Sequence, residues 1–342
     1  MYLIYLICAL VFFENIKAEE LNVADSHGPI SVMGDHMHNY GEIMFSYSFA
    51  NMKMHGLLNG KKSIGLRESM NAPNSASNGG GSYMNSPVSM NMDMHMLGVM
   101  YAPSNYLTFM LMTNYVEKEM KQERMPMSGS TRFDTNSNGF GDMRLTGLIK
   151  LRKNNHQKSI IGLGLSFPTG SIDKRDSTPT SSNTRLGYAM QNGTGTFDPY
   201  IFLNNIYNFG KFKIGGQMLF KNSLSIHNSK GYHYGSLTDL KIWFSYRWLK
   251  DFSSAVKINY LYQAKMQGYD NEMNHRMSPA MDSRNQGFNK LNIGFSINFI
   301  NQKNLLKNHR IGIELLCPIF ENVRGIQMSE DIKTILGWQY SF

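Results

Sequence analysis

Methionine and histidine are the residues of this sequence whose types and spacing could do chemistry. The chain of 342 residues contains 26 Met, more than its 20 Phe or 18 Tyr, although Met is not among the commonest residues of ordinary domains. Thioether sulfur is a soft ligand that selects Cu(I), and imidazole also suits copper. The residues that could supply mixed Met and His ligands to such an ion are His36, His38, His55, Met94 and His95.

A second interpretation treats the methionines as a surface for solutes. Met is flexible and polarizable, so a group of thioethers can hold hydrophobic or aromatic molecules of varied shape. The candidates for solute contact are Met44, Met52, Met54, Met90, Met92, Met94, Met96, Met110 and Met112. A third interpretation is that these side chains simply fill a core or face lipid. The residues alone leave all three interpretations open.

These methionines lie in segments whose apolar positions recur with a period of two. Leu107, Phe109 and Leu111, for example, alternate with Thr108 and Met110, a pattern typical of strands with one apolar and one polar face. We predict twelve strands, at 42–54, 88–101, 105–117, 139–152, 157–168, 197–208, 211–226, 236–249, 252–265, 287–300, 308–320 and 333–342.

The direction of the methionines in the second strand depends on its parity. Leu97 and Val99 share one face of this strand with Asp93 and His95, so the pattern is ambiguous. If Leu97 and Val99 face lipid, three neighbouring strands line one wall of the lumen with thioethers.

Connections between the predicted strands alternate in length. Short turns at 102–104, 153–156, 209–210 and 250–251 alternate with long polar connections at 55–87, 118–138, 169–196 and 266–286, and with shorter ones at 227–235 and 321–332. This is the layout of an outer-membrane barrel, which closes because lipid offers no partner to a free strand edge. We therefore predict an all-β fold, a single antiparallel transmembrane barrel of about twelve strands, in preference to a water-soluble sandwich.

The N-terminus predicts export. Residues 2–13 form an apolar run that is too short to span a bilayer as a helix and fits a secretory signal cleaved after Ala18. The predicted organisation is a signal peptide at 1–18, a periplasmic segment at 19–41 that could fold into the lumen as a partial plug, and the barrel at 42–342. Removal of the signal leaves Cys317 as the single cysteine, which excludes a disulfide within the chain.

Charged residues on the polar parity are further candidates for contact with a solute. The net charge is +9, but the cations are spaced singly, so we expect no nucleic-acid partner. The candidates lie on the parity that faces the lumen, where a charged side chain is hydrated and costs little free energy. They are Arg144, Lys241, Arg247 and Lys257. An excess of cations there predicts a mild preference for anions. The alternative is that these charges pair with one another and rigidify the barrel.

The last segment ends the chain on alternating aromatic residues, with Trp338, Tyr340 and Phe342 on one parity. This ending resembles that of outer-membrane barrels, whose C-terminal aromatic residue is read by the barrel-insertion machinery. The resemblance implies that this machinery recognises Phe342, and that outer-membrane lipid surrounds the chain.

Several longer stretches resemble one family in particular. MGDHMH at 33–38, MDMHMLGVMYAPS at 92–104, FPTGSID at 167–173, YAMQNGTGTFDP at 188–199 and GWQYSF at 337–342 are similar to outer-membrane proteins grouped as the "MetA-pathway of phenol degradation" family. The similarity spans nearly the whole mature chain. It implies a transporter for small aromatic or hydrophobic solutes and supplies no catalytic residues.

These observations predict a passive, porin-like channel in the bacterial outer membrane for small solutes, hydrophobic or aromatic ones included. The sequence contains no nucleotide-binding motif, which indicates that transport is passive. We expect no cofactor, and we expect no enzymatic activity because no nucleophile is grouped with a base and an orienting residue. Two alternatives remain open. One is a barrel that binds or passes copper ions, and the other is a structural barrel that does not conduct.

Overall fold

The computed structural model describes residues 23–74, 81–124, 131–301 and 308–341. The signal peptide predicted at 1–18 and the terminal Phe342 lie outside the described residues. The strands of the described residues are β1 (Ile43–Asn59), β2 (Lys62–Ile64), β3 (Asn85–Ser104), β4 (Leu107–Arg124), β5 (Thr131–Phe140), β6 (Met143–Lys153), β7 (Gln157–Phe167), β8 (Arg175–Thr178), β9 (Ser181–Arg185), β10 (Asp198–Phe209), β11 (Phe212–Lys221), β12 (Tyr232–His233), β13 (Leu237–Arg247), β14 (Phe252–Gln263), β15 (Gln267–Gly268), β16 (Phe288–Asn301), β17 (His309–Val323) and β18 (Ile326–Ser341).

Twelve antiparallel strands form a closed barrel, which confirms the predicted fold class. The order is β1, β3, β4, β6, β7, β10, β11, β13, β14, β16, β17 and β18, and β18 pairs back onto β1. At this seam Tyr47 lies opposite Trp338. β5 and β6 both pair with β4, so they form one barrel strand that is interrupted at Gly141 and Asp142. The single α-helix among the described residues, α1 (Leu66–Asn71), is short, and no described helix is long and apolar enough to cross a membrane.

Successive side chains of each strand point alternately to the outer surface of the barrel and to its interior. Outward positions carry exposed apolar residues around the whole barrel, including Phe109, Leu163, Ile242, Phe295 and Leu336, whereas the inward neighbours of such residues include the buried Met110, Lys241, Trp243, Ser296 and Ile335. An exposed belt of this kind is stable in hydrocarbon and unstable in water. The first and last barrel strands begin and end at the short-turn end, which is periplasmic in barrels of this type.

Several strands are longer than the alternation predicted. β4 continues to Arg124 and β5 begins at Thr131, so most of the loop predicted at 118–138 is a strand hairpin. β17 and β18 likewise meet at a tight turn through Arg324 and Gly325, where a loop was predicted at 321–332. Both loop predictions were wrong. The outer surface of these extensions is polar, as at Glu119, so they lack the apolar alternation that marks a strand in lipid.

The long connections fold inward over the extracellular end of the barrel. Leu186 and Met190, which follow β9, pack against Met90 of β3 and Met120 of β4 in one buried cluster. A second buried cluster joins the loops to one another and contains Tyr188, Tyr232, Met266, Met273 and Met281. These apolar contacts hold the loops as a lid of fixed structure on the barrel.

Candidate functional site

Methionines of β1, β3 and β4 form a continuous stripe on the lumen wall. Leu97 and Val99 are 54% and 37% exposed on the outer surface, which resolves the parity of β3 and turns its methionines inward. Register places Met44 opposite Met100 at the periplasmic end. The methionine stripe, as the term is used below, consists of Met44, Met52, Met54, Met90, Met92, Met94, Met96, Met100, Met110, Met112 and Met120.

The stripe is buried at its two ends and partly open in the middle. At the periplasmic end, Met44 and Met110 pack in a cluster with Phe202. At the extracellular end, Met90 and Met120 pack against the loops. Between these ends the side chains are only partly buried, and they are Met52, Met92, Met94, Met96 and Met112. The exposed part of these side chains is apolar and adaptable, and Met94 and Met96 also pack against the buried cluster that contains Ile30 of the N-terminal segment.

Residues 23–41 run inside the barrel and are bonded to its wall. Arg310 of β17 donates a hydrogen bond to the Gly28 carbonyl over 2.6 Å. Gln217 of β11 donates one to the Met33 carbonyl over 2.8 Å. Because these partners lie on strands far apart in the sheet, the segment crosses the periplasmic half of the interior. The idea that it acts as a plug stays a proposal.

Two of the four predicted lumen cations are buried in ion pairs. Lys257 is 1% exposed and pairs with Glu314, which is 0% exposed. The Ser31 backbone N–H donates to the Glu314 carboxylate over 3.0 Å. Lys241 pairs with Asp239 over 2.7 Å. These charges fit the interpretation of mutual pairing that the sequence left open.

The other two predicted cations differ from each other. Arg247 pairs with Asp25 of the N-terminal segment over 3.2 Å. Arg144 of β6 lies on the lumen face beside Met112 and is exposed. Among the residues that the structure describes, it has no ion pair or hydrogen bond. Arg144 is therefore a charge that a solute could meet.

A basic pocket of about 830 Å³ opens at the periplasmic end, between the N-terminal segment and the barrel wall. Its cations are Lys153, Lys158, Lys211, Lys213, Arg247, Lys250 and Arg310. Glu42 is the one carboxylate among the described residues that line it. Two of these cations, Lys213 and Arg247, pair with the buried Asp25, which reduces the excess. A concave site lined mainly by one sign of charge raises the local concentration of ions of the opposite sign.

The five residues predicted as metal ligands do not form one site. His55 and His95 lie on outward positions of β1 and β3, and His95 is bonded to Tyr47 on the outer surface over 2.8 Å. Met94 lies inside, next to the cluster around Ile30. Strand parity separates them, because His95 and Met94 are adjacent in sequence and must point to opposite faces. His36 and His38, in contrast, lie together at the periplasmic pocket.

The structure adds two residues to His36 that sequence reasoning missed. Ligand atoms of His27, Asp35 and His36 all lie within 4.8 Å of one another. Burial lowers the pKa of His27 well below its usual value and lowers that of His38 to about 4. Both rings are therefore neutral at pH 7. The spacing of His27 from Asp35 could have pointed to this group, but only if the segment was known to turn back inside a barrel.

Solved structures with a similar fold are outer-membrane barrels. The COG4313 outer membrane channel from Pseudomonas putida F1 matches with a TM-score of 0.58 and 12% identity, covering 92% of this chain and 100% of that chain. The TodX deltaS2S3 mutant monoaromatic hydrocarbon channel gives 0.46 and 13%, covering 89% and 91%. A Pseudomonas aeruginosa FadL homologue gives 0.40 and 9%, covering 93% and 96%.

The protein lies in the bacterial outer membrane. This follows from the closed barrel with its apolar belt and from the fold that it shares with the Pseudomonas putida channel. At 12% identity that likeness shows the fold alone. No family model matches the sequence, and neither does any curated protein. The resemblance to the phenol-degradation family, the absence of enzymatic activity and recognition by the insertion machinery stay predictions.

Proposed function

We propose that the protein is a passive channel for small solutes with an apolar or aromatic body, and that the acidic members of this class pass best. The observation that carries the proposal is the methionine stripe, which runs along the lumen wall over the whole height of the barrel. A thioether surface accommodates apolar groups of different shapes without a fixed pocket. The basic pocket at the periplasmic end supports the preference for anions.

Arg144 is the residue at which both preferences meet. Its side chain is exposed inside the barrel, and its strand neighbour Met112 belongs to the stripe. A solute carboxylate could pair with the guanidinium while its apolar body contacts the thioethers. Residues 23–41 fill part of the path below this level, so passage requires the N-terminal segment to shift.

Flux into proteoliposomes tests the proposal. We expect benzoate to enter faster than benzyl alcohol, and both to enter faster than a neutral sugar of similar size. Replacing Met52, Met92, Met94 and Met96 together by Ser should slow both aromatic solutes, whereas replacement by Leu should preserve their entry because Leu remains apolar. Arg144→Gln should slow benzoate and leave benzyl alcohol unchanged.

Two results would contradict the channel. Equal rates for the sugar and the aromatic solutes would remove the role of the methionine stripe. No flux of any solute, together with no current across planar bilayers, would favour the structural barrel, an alternative that the filled lumen also supports. In both cases, different mobility of heated and unheated samples on a denaturing gel is the control for a folded barrel.

A further inference from the structure

Three histidines and one methionine meet where the N-terminal segment contacts the wall of the barrel. The ring of His36 lies 4.3 Å from that of His27 and 5.1 Å from that of His38, measured between centroids. Met44 of β1 supplies its sulfur from the wall, 3.4 Å from His36 Nε2. Both the His36 and Met44 side chains are buried.

The His36 ring is held in one orientation by Asp35. His36 Nδ1 lies 2.6 Å from Asp35 Oδ1, and the Gly28 backbone N–H donates to Asp35 Oδ2 over 2.6 Å. A carboxylate that fixes one ring nitrogen and leaves the other for a metal is the usual support of a ligating histidine.

The His36 ring directs Nε2 at the Met44 sulfur, 3.4 Å away. Thioether sulfur is only a weak hydrogen-bond acceptor, whereas imidazole nitrogen and thioether sulfur are both good ligands for a soft metal ion. A metal ion bound by both atoms would therefore replace a weak contact with two strong ones. An ion about 2.0 Å from nitrogen and about 2.3 Å from sulfur separates the two atoms by about 3.5 Å at a tetrahedral angle.

The His38 ring is likewise positioned by a carboxylate, that of Glu42. Its Nδ1 lies 3.3 Å from Glu42 Oε2, and its Nε2 is buried without a hydrogen-bond partner among the residues that the structure describes. The Nδ1 atom of His27 is buried and unpartnered in the same sense. Buried polar atoms without a protein partner are positions at which an ion can bind.

We infer that His36, His38 and Met44, with His27 beside them, form a binding site for one soft, singly charged metal ion of the Cu(I) class. Thioether sulfur and imidazole select such an ion over hard cations. The Asp35 and Glu42 carboxylates beside the ligands favour a positive ion. Arg310 next to Gly28 and the basic pocket oppose a high charge, so a singly charged ion fits best. This site keeps His36 and His38 of the ligands predicted from sequence and adds Met44 and His27, which were not among them. It does not depend on the proposed channel function.

Equilibrium binding of Ag(I) to the full-length protein in detergent tests the inference. Ag(I) is a soft monovalent ion that needs no reductant. We expect one tightly held Ag(I) per barrel, with nitrogen and sulfur neighbours in its X-ray absorption spectrum. Met44→Leu should keep the shape of the wall, remove the sulfur neighbour from the spectrum and weaken Ag(I) binding at least about tenfold. His36→Gln should weaken Ag(I) binding to a similar extent and reduce the nitrogen signal.

Two matched variants serve as controls. Met110→Leu removes a thioether from the same buried cluster as Met44, and His95→Gln removes an imidazole from the outer surface. Both should bind Ag(I) like the unchanged protein. The inference is overturned if no Ag(I) is held tightly, or if Met44→Leu and Met110→Leu bind Ag(I) with the same affinity. It is also overturned if Zn(II) binds as tightly as Ag(I) and its affinity is unchanged in Met44→Leu. Heat-dependent gel mobility confirms that each variant is folded.

Discussion

The ion pair of Lys257 and Glu314 reaches from β14 to β17 across Gly294 of the strand between them. A Cβ at Gly294 would lie 3.2 Å from the Glu314 carboxylate and 3.3 Å from the Lys257 side chain, so the glycine makes room for the pair. Ser31 bonds to both partners, with its hydroxyl next to the ammonium group and its N–H on the carboxylate. One buried charge pair thus joins the two walls to the N-terminal segment.

Removing one charge of this pair should destabilise the barrel strongly. Glu314→Gln leaves the Lys257 ammonium buried without its counter-ion, a change that costs about 3–5 kcal/mol in comparable sites. The double variant Lys257→Met, Glu314→Leu removes both charges and should be close to neutral. Denaturant titration of the refolded barrel measures both. A single variant as stable as the double would show that water solvates the pair.

Gly34→Ala should displace the N-terminal segment. Gly34 has φ of +66°, and a Cβ there would lie 2.6 Å from the Phe202 ring. Gly41→Ala is the control, since Gly41 has φ of +83° but no neighbour within 4 Å of the added Cβ. Both changes cost about 1–2 kcal/mol of backbone strain. Only Gly34→Ala should raise protease access to residues 23–41 and the current across planar bilayers, and equal behaviour would contradict the observed packing.

Leu145 and Arg144 are adjacent in β6, and exchanging leucine and arginine at these two positions should affect the free energy of unfolding very differently. Leu145 faces lipid, and an arginine on that face costs up to about 2–4 kcal/mol. Arg144 faces the lumen without a described partner, so Arg144→Leu should change stability by less than about 0.5 kcal/mol. Unfolding free energies of Leu145→Arg and Arg144→Leu test this directly. A large cost for Arg144→Leu would show that the guanidinium has a structural partner.

Acid should loosen the extracellular loops through Glu272. Hydrogen bonds from Lys230 and Arg175 lower the pKa of Glu272 to about 2. Because this pKa is depressed, the stabilisation is complete above the ordinary value near 4.5 and is lost as the pH falls through about 2. Pepsin cleavage of the loops in the folded barrel should therefore rise steeply over this range.

Glu272→Gln should remove that dependence, because the amide has no charge to lose. Glu68→Gln is the matched control, since Glu68 pairs with Lys62 over 2.7 Å outside this loop network. If the pH profile of cleavage is the same in Glu272→Gln and Glu68→Gln, the loops are held by their apolar contacts alone.

The barrel could be predicted from sequence because lipid and water impose alternation on every membrane-crossing strand. The same rule failed where its physical cause is missing. On the outer face of β3, the polar Asp93 and His95 are followed by the apolar Leu97 and Val99. Asp93 is satisfied there by a hydrogen bond that Asn51 of β1 donates over 2.6 Å. The pattern there could not say which side faced lipid.

The candidate sites were predictable only in part. Alternation could place Met52 and Met112 on the lumen face, because successive side chains of a strand point to opposite faces of the sheet. It could not bring His27 to His36 or Met44 to His36, because those contacts depend on the path of a segment without regular structure. Likewise, nothing in the spacing of Lys257 and Glu314 along the chain indicates that they pair.

The pairing of β18 with β1 also sets an order of events during assembly. The cylinder can be sealed only after the final strand of the chain has reached the first, and residues 23–41 lead directly into that first strand. The N-terminal segment is thus tethered beside this joint between the first and last strands. It must enter the unfinished sheet before the joint closes, or thread through the periplasmic mouth afterwards, so the rate of membrane insertion and the final position of this segment are coupled.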